Sequence, residues 1–234
     1  MLDMKAVLAA SALSSVTVTP KHALTGPANL PTHTQTLLEE RANTWSAAFG
    51  MMGALGFALA LLWRGDATPG QWIFAVTLFV LFLTSTVYHG LVSAGAKEIA
   101  RVFDHTAIFA LIAGTYTPFA LGALRAHGGI WLFALEWLLA LIGLAFVLRG
   151  GLDRTRVSNA LYIGMGWIGL FFISGFLGNV APIGNGLILA GGVIYTAGVA
   201  FYSARRLRYS HFIWHIFVLA GSACHAIAVY RYSG

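Results

Sequence analysis

The chain reads as an all-α membrane protein, a seven-transmembrane helix bundle with its amino terminus cytoplasmic and its carboxyl terminus outside. Three observations predict this. Only 9% of the 234 residues are charged, where soluble domains carry about a quarter, and the mean hydropathy is +0.77. The hydrophobic residues form continuous stretches rather than alternating with polar ones, which excludes strands, because an open sheet leaves its edge groups unpaired in lipid. The basic residues gather on one side of those stretches.

Crossing a hydrocarbon core of about 30 Å takes about 20 helical residues. Seven stretches qualify: 44–63, 72–93, 104–123, 130–148, 157–177, 186–203 and 211–230. Gly65–Gly70, Ala94–Ala96 and Gly178–Gly186 read as short connections between them. Pro118 is expected to kink the third helix, with Thr115 and Thr117 bonding carbonyls that the proline frees. The 27 glycines suit helices that approach closely through small residues, and no internal repeat is evident.

Orientation follows from Lys and Arg. Lys5, Lys21, Arg41, Lys97, Arg101, Arg149, Arg154, Arg156, Arg205, Arg206 and Arg208 fall on one side, 11 in all, against Arg64, Arg125 and Arg231 on the other. The positive-inside bias puts the 11 in the cytoplasm. The net charge of +6 is then a matter of loops near anionic headgroups, not of a nucleic-acid surface. Residues 1–38 are expected to be a cytoplasmic tail, partly disordered or interfacial, and 39–234 the transmembrane domain. Ala6–Val18 imitates a weak signal sequence, but Ser and Thr break it and the charge count works with the tail retained inside. Cys224 is the only cysteine, so no intrachain disulfide can form, and it reads as a small core residue.

Five side chains carry the functional signal. The second segment ends inside with Ser85 and His89, the third opens inside with Asp104, and the seventh opens inside with His211 and His215. Helical residues four apart lie only about 40° apart around the axis and about 6 Å along it. His211 and His215 can therefore chelate one ion, and Ser85 sits one turn deeper than His89. Three imidazoles with a nearby carboxylate suit a tetrahedral Zn²⁺ whose fourth position holds water, with Fe(II) as the alternative metal. Asp104 would take a proton from that water and Ser85 would hydrogen-bond it or a substrate oxygen.

Plainer readings stand beside each of these. His89 could satisfy a helix–helix hydrogen bond, Ser85 could pack as a small residue, and Asp104 could be an anion at a helix amino terminus, paired with Arg101. His105 lies about 100° round the helix from Asp104, so at most one of the two is expected to face the site. His225, 14 residues beyond His211, is too far along the helix to share the metal and reads as a core histidine. A pair of stacked haems would need a second histidine pair on a partner helix, which the second and third segments lack. Glu136 is a costly intramembrane acid and a candidate proton site. His22, His33 and His127 carry no specific signal.

At Ser85-Thr86-Val87-Tyr88-His89, at Asp104-His105-Thr106-Ala107-Ile108 through Thr115-Tyr116-Thr117-Pro118-Phe119, and at Tyr209-Ser210-His211-Phe212-Ile213-Trp214-His215, the chain resembles the hemolysin III family. That family is the bacterial branch of the progestin and adipoQ receptor superfamily, which includes the adiponectin receptors. The resemblance covers roughly residues 39–230. It implies His89, His211 and His215 as zinc ligands, Asp104 and Ser85 around the fourth position, and residence in a bacterial cytoplasmic membrane. The receptor branch is associated with ceramide hydrolysis, and alkaline ceramidases share the motif pattern. Glu40-Arg41-Ala42-Asn43 matches part of a further family pattern, but Ala47 stands where a histidine is usual, which puts any accessory role of that histidine in doubt.

The leading expectation is a zinc-dependent hydrolase of a lipid amide or ester, taking a ceramide-like or fatty-acyl ligand from the inner leaflet. A second is a lipid sensor in which zinc is structural. A third, a pore-forming haemolysin, fits poorly with a chain built as a permanent resident of its membrane.

Overall fold

The computed structural model describes residues 35–204 and 207–234. The predicted tail, with His22 and His33, therefore lies almost wholly outside the described residues. Among those described, the regular structure is all helical. The α-helices are α1 (Leu37–Arg64), α2 (Pro69–Gly90), α3 (Ala94–Leu121), α4 (Ile130–Leu148), α5 (Thr155–Gly166), α6 (Ile173–Asn179), α7 (Pro182–Ser203) and α8 (Ser210–Tyr232). A 3-10 turn over Ile168–Phe172 joins α5 to α6, and the pair makes the fifth of seven spans.

Among the described residues, six of these seven helical segments, counting α5 and α6 as one, are long and apolar enough to cross a membrane. The other, α3, carries Lys97, Glu98, Arg101 and Asp104 in its first three turns and Thr115, Tyr116, Thr117 and Pro118 near its end. It can afford that composition because α2, α4, α5 and α8 all pack on it, so protein rather than lipid meets much of its surface.

The helices outrun the apolar stretches, because capped, hydrogen-bonded ends extend them into polar sequence. Thr36 opens α1 with a capping box to Glu39, and Thr68 opens α2 with one to Gln71, followed by Pro69 in the first turn. Gly65, at φ 75°, closes α1 in the left-handed conformation that glycine adopts freely. Ala94–Ala96, expected as a connection, is instead the first turn of α3. One turn into α3, the Lys97 ammonium donates to Tyr88 O at 3.1 Å and Leu91 O at 3.4 Å, satisfying carbonyls around the end of α2. Asp104 is consequently three turns into its helix, and its reading as a helix-terminal anion is overturned. The break expected over Gly178–Gly186 narrows to Val180–Ala181, since Asn185 donates to Phe176 O and Val180 O while Pro182 starts α7. Pro118 lies inside α3, which continues to Leu121, and Thr115 and Thr117 each bond the carbonyl four residues back, at 2.8 Å.

Small residues set the seam between α7 and α8. The buried positions of α7 are Gly184, Gly191 and Gly198, seven apart, so they stay on one face. A β-carbon there would run into Tyr232, His225, and Trp214 with Phe217 of α8. At one end of the bundle α1, α2 and α8 are clamped by polar side chains. Arg64 donates to Gln71 Oε1 at 2.8 Å, to Tyr230 O and to Asp66, and lies 4.7 Å over the Tyr230 ring. Gln71 donates to Val229 O at 3.0 Å and Ser233 Oγ at 3.1 Å. The candidate site occupies the other end of the same three helices.

Candidate metal centre

His89 comes from the last turn of α2, and His211 and His215 from the first two turns of α8. Antiparallel passage brings these ends together. One ring nitrogen from each lies within 4.8 Å of the others, and among the described residues this is the group able to hold a metal ion. His89 Nε2 and His211 Nε2 stand 3.0 Å apart, and the rings of His211 and His215 are 4.7 Å centre to centre.

The other nitrogens of two rings are already engaged. His89 Nδ1 is 2.8 Å from Glu40 Oε2, which also takes the Lys97 ammonium at 3.1 Å. A carboxylate only accepts, so His89 Nδ1 carries the proton. His215 Nδ1 is 2.8 Å from Ser46 Oγ, whose single hydrogen goes to Asn43 O at 2.9 Å, so this ring too donates from Nδ1. Both tautomers leave Nε2 as a bare lone pair, the form in which imidazole binds metal, with its far side held by a carboxylate or hydroxyl.

Glu40 and Ser46 were missed as site residues in the sequence. Glu40 stood only as part of a family pattern, and Ser46 was not singled out. The usable signal was an acid and a serine six residues apart at the start of an apolar helix, at the depth of three histidines whose second nitrogens need partners. Ala47, next to Ser46, is enclosed at 1% exposure.

Ser85 and Asp104 face each other across the α2–α3 seam, and with His211 and His215 they line one cavity of about 160 Å³. Asp104 is not within the ligand group. His105 is outside the ligand group too, although both it and Asp104 line the cavity. The cavity wraps a broad stripe of α3 that includes Ile108, Leu111, Ile112 and Thr115, wider than the 100° separating adjacent residues. His105 donates from Nδ1 to Arg101 O at 2.9 Å. Arg101 itself pairs with Glu98 and Asp153, not with Asp104.

Away from the histidines the cavity is walled mainly by apolar residues, Phe82, Phe119, Phe176, Ile188 and Val218 among them, with Ser158, Asn159 and Thr196 also on its lining, and it runs to His225. His225 is outside the metal group and donates from Nε2 to Ile188 O at 3.1 Å. Glu136 is fully enclosed on the α4 face that meets α3, with neither oxygen hydrogen-bonded, and does not line the cavity. His127 sits in the π-helical turn before α4, and Cys224 is free and half-buried.

A seven-span helical bundle with three converging imidazoles at one end, opening on a mainly apolar cavity, defines a polytopic membrane protein with a candidate metal centre. The chain belongs to the Haemolysin-III related family, whose model matches residues 35–226. It is 33% identical over 203 residues to the Hemolysin-3 homolog of Bacillus subtilis (strain 168), covering 84% of this chain and 95% of that one. It is 35% identical over 196 residues to Hemolysin-3 of Bacillus cereus, covering 81% and 90%. A more distant likeness, 28% over 212 residues and 84% and 85% of the two chains, is to the Homo sapiens protein Monocyte to macrophage differentiation factor.

Proposed function

We propose that the chain is an integral membrane zinc hydrolase acting on the amide or ester bond of a lipid. The observation that carries this reading is the pair of fixed tautomers, which leave His89 and His215 presenting metal-binding lone pairs toward His211 in a site that opens onto a mainly apolar cavity. Three neutral imidazoles with no carboxylate in the ligand group suit zinc better than Fe(II), which is typically held by two histidines and a carboxylate.

His89, His211 and His215 would hold the ion, which supplies a Lewis acid able to acidify water and polarise a carbonyl oxygen. Glu40 and Ser46 keep the Nδ1 protons of His89 and His215 in place, so neither ring can present its protonated nitrogen to the metal. Asp104, outside the ligand group but on the same wall, takes the proton of the attacking water and returns it to the leaving nitrogen or oxygen. Ser85 orients the Asp104 carboxylate. Phe82, Phe119, Ile188 and Val218 would receive an acyl chain, which places the scissile bond of a ceramide-like or fatty-acyl substrate at the histidine end. By the basic-residue bias, that end faces the cytoplasmic leaflet of a bacterial inner membrane.

The test is release of fatty acid from amide- and ester-linked lipids by purified protein in lipid nanodiscs, zinc-loaded against zinc-stripped. Asp104→Asn should keep zinc and lower turnover by about 10²-fold or more, the scale of general-base catalysis. Turnover equal in loaded and stripped protein across all substrates would replace the hydrolase reading with a lipid sensor braced by a structural zinc. Release of entrapped dye from the nanodisc lipids reconstituted as vesicles would instead favour a pore.

A further inference from the structure

The first helix gives the centre no ligand and the cavity no wall, yet its inner end reaches all three histidines. Glu40 holds His89 and Ser46 holds His215. The third connection is indirect. Glu39, 3% exposed, uses Oε2 to accept from the Thr36 backbone N–H and hydroxyl, both at 2.8 Å, within the α1 capping box. Its Oε1 accepts from the backbone N–H of Tyr209 at 2.9 Å. Tyr209 has φ 57° and ψ 19°, the one non-glycine among the described residues at positive φ, and its own carbonyl accepts the first α8 bond, from Ile213 N at 2.9 Å. A left-handed tyrosine persists only where surrounding contacts over-determine it. Two residues later comes His211.

We propose that Glu39 is a positioning residue for the metal centre: by holding the Tyr209 amide it fixes the point and direction at which α8 starts, and so the place of His211. With Glu40 and Ser46, it makes α1 the element against which all three histidines are aligned. The proposal rests on the metal reading above for its affinity measurement, and on the fold alone for its second measurement.

The experiment uses full-length protein in nanodiscs and four variants: Glu39→Ala, Glu39→Gln, Thr36→Ala and the double variant Glu39→Ala with Tyr209→Gly. Zinc affinity is read by competition with a chromogenic chelator, and amide exchange over 207–216 is read on metal-free protein. Glu39→Ala should weaken zinc binding by about 10–100-fold, the range for residues that orient ligands, and speed exchange at the start of α8. Glu39→Gln, which keeps an acceptor oxygen and the side-chain volume, should lose less, and keeps the test alive should the alanine variant not fold. Thr36→Ala removes the hydroxyl but keeps the Thr36 backbone N–H that Glu39 Oε2 also accepts from, and should cost both readouts clearly less than Glu39→Ala. Glycine adopts the left-handed conformation without a β-carbon clash, so Tyr209→Gly should recover much of what Glu39→Ala loses. A Thr36→Ala loss as large as that of Glu39→Ala, or no recovery with Tyr209→Gly, would overturn the proposal in favour of simple helix capping. If wild-type protein binds no zinc, the metal reading falls. Amide exchange then decides the positioning claim by itself: wild-type exchange in Glu39→Ala ends it, and faster exchange that glycine repairs sustains it.

Discussion

The same three helices, α1, α2 and α8, meet in a polar cluster at each end, and the two clusters are chemically opposite. At the Arg64 end donors match acceptors: guanidinium and amide hydrogens find the Gln71 oxygen, the Tyr230 and Val229 carbonyls and the Ser233 hydroxyl. At the histidine end, the Nδ1 protons of His89 and His215 go to Glu40 and Ser46 on the far sides of the rings, and their Nε2 lone pairs turn inward, that of His89 3.0 Å from His211 Nε2. A self-satisfied cluster braces helices. A cluster of converging acceptors is complete only with a cation between them, or with a proton shared in its absence.

Topology gives the sharpest way to break this contrast, because its outcome is all or none. With Cys224 replaced by alanine, single cysteines placed at Arg208 and Gly234 should be labelled by an impermeant reagent from the inside and outside respectively. Labelling of Arg208→Cys from outside would put the histidine centre on the wrong side for an inner-leaflet substrate. Next in size is the metal itself. Elemental analysis should find about one zinc per chain in the wild type and none retained in His215→Ala, because loss of one of three protein ligands removes direct coordination. Full zinc in that variant would move the ligand set elsewhere.

Smaller effects separate the two clusters. Glu40→Ala should lower zinc affinity by about 10–100-fold while the protein stays folded, since it acts through the His89 ring rather than on the ion. At the opposite end, Gln71→Ala should cost about 1–3 kcal/mol of stability by orphaning buried partners, seen in chemical unfolding, and leave zinc affinity unchanged. Loss of zinc in Gln71→Ala would mean that the two ends are coupled along α1, α2 and α8.

Much of the site was legible because helical geometry converts spacing into position. Ser85 and His89, and His211 and His215, are each four apart, and an alternating path through the membrane puts their helix ends on one side. Asp104 stands on the same cavity wall, though its helix begins ten residues earlier than hydropathy suggested: Lys97, Glu98 and Arg101 give its first turns a charged sequence that hides the helical start. Glu40 and Ser46 escaped notice because nothing in the period of α1 says which neighbour its polar stripe meets. Arg101 was offered to Asp104 on proximity in sequence, whereas the fold turns it outward to Glu98 and Asp153.

The sequence by itself determined the membrane class, the all-helical architecture, the three histidines and the depth they share, since each depends on composition or on the pitch of a single helix. Tertiary structure decided which side chains stand behind those histidines, that Asp104 and His105 both reach the cavity, and that a tyrosine is held left-handed at the head of α8. These depend on how helices rotate and lean against one another, a choice made by side-chain volumes such as the glycine seam of α7, and it is this packing that turns three histidines at one depth into a site with two ring tautomers already fixed.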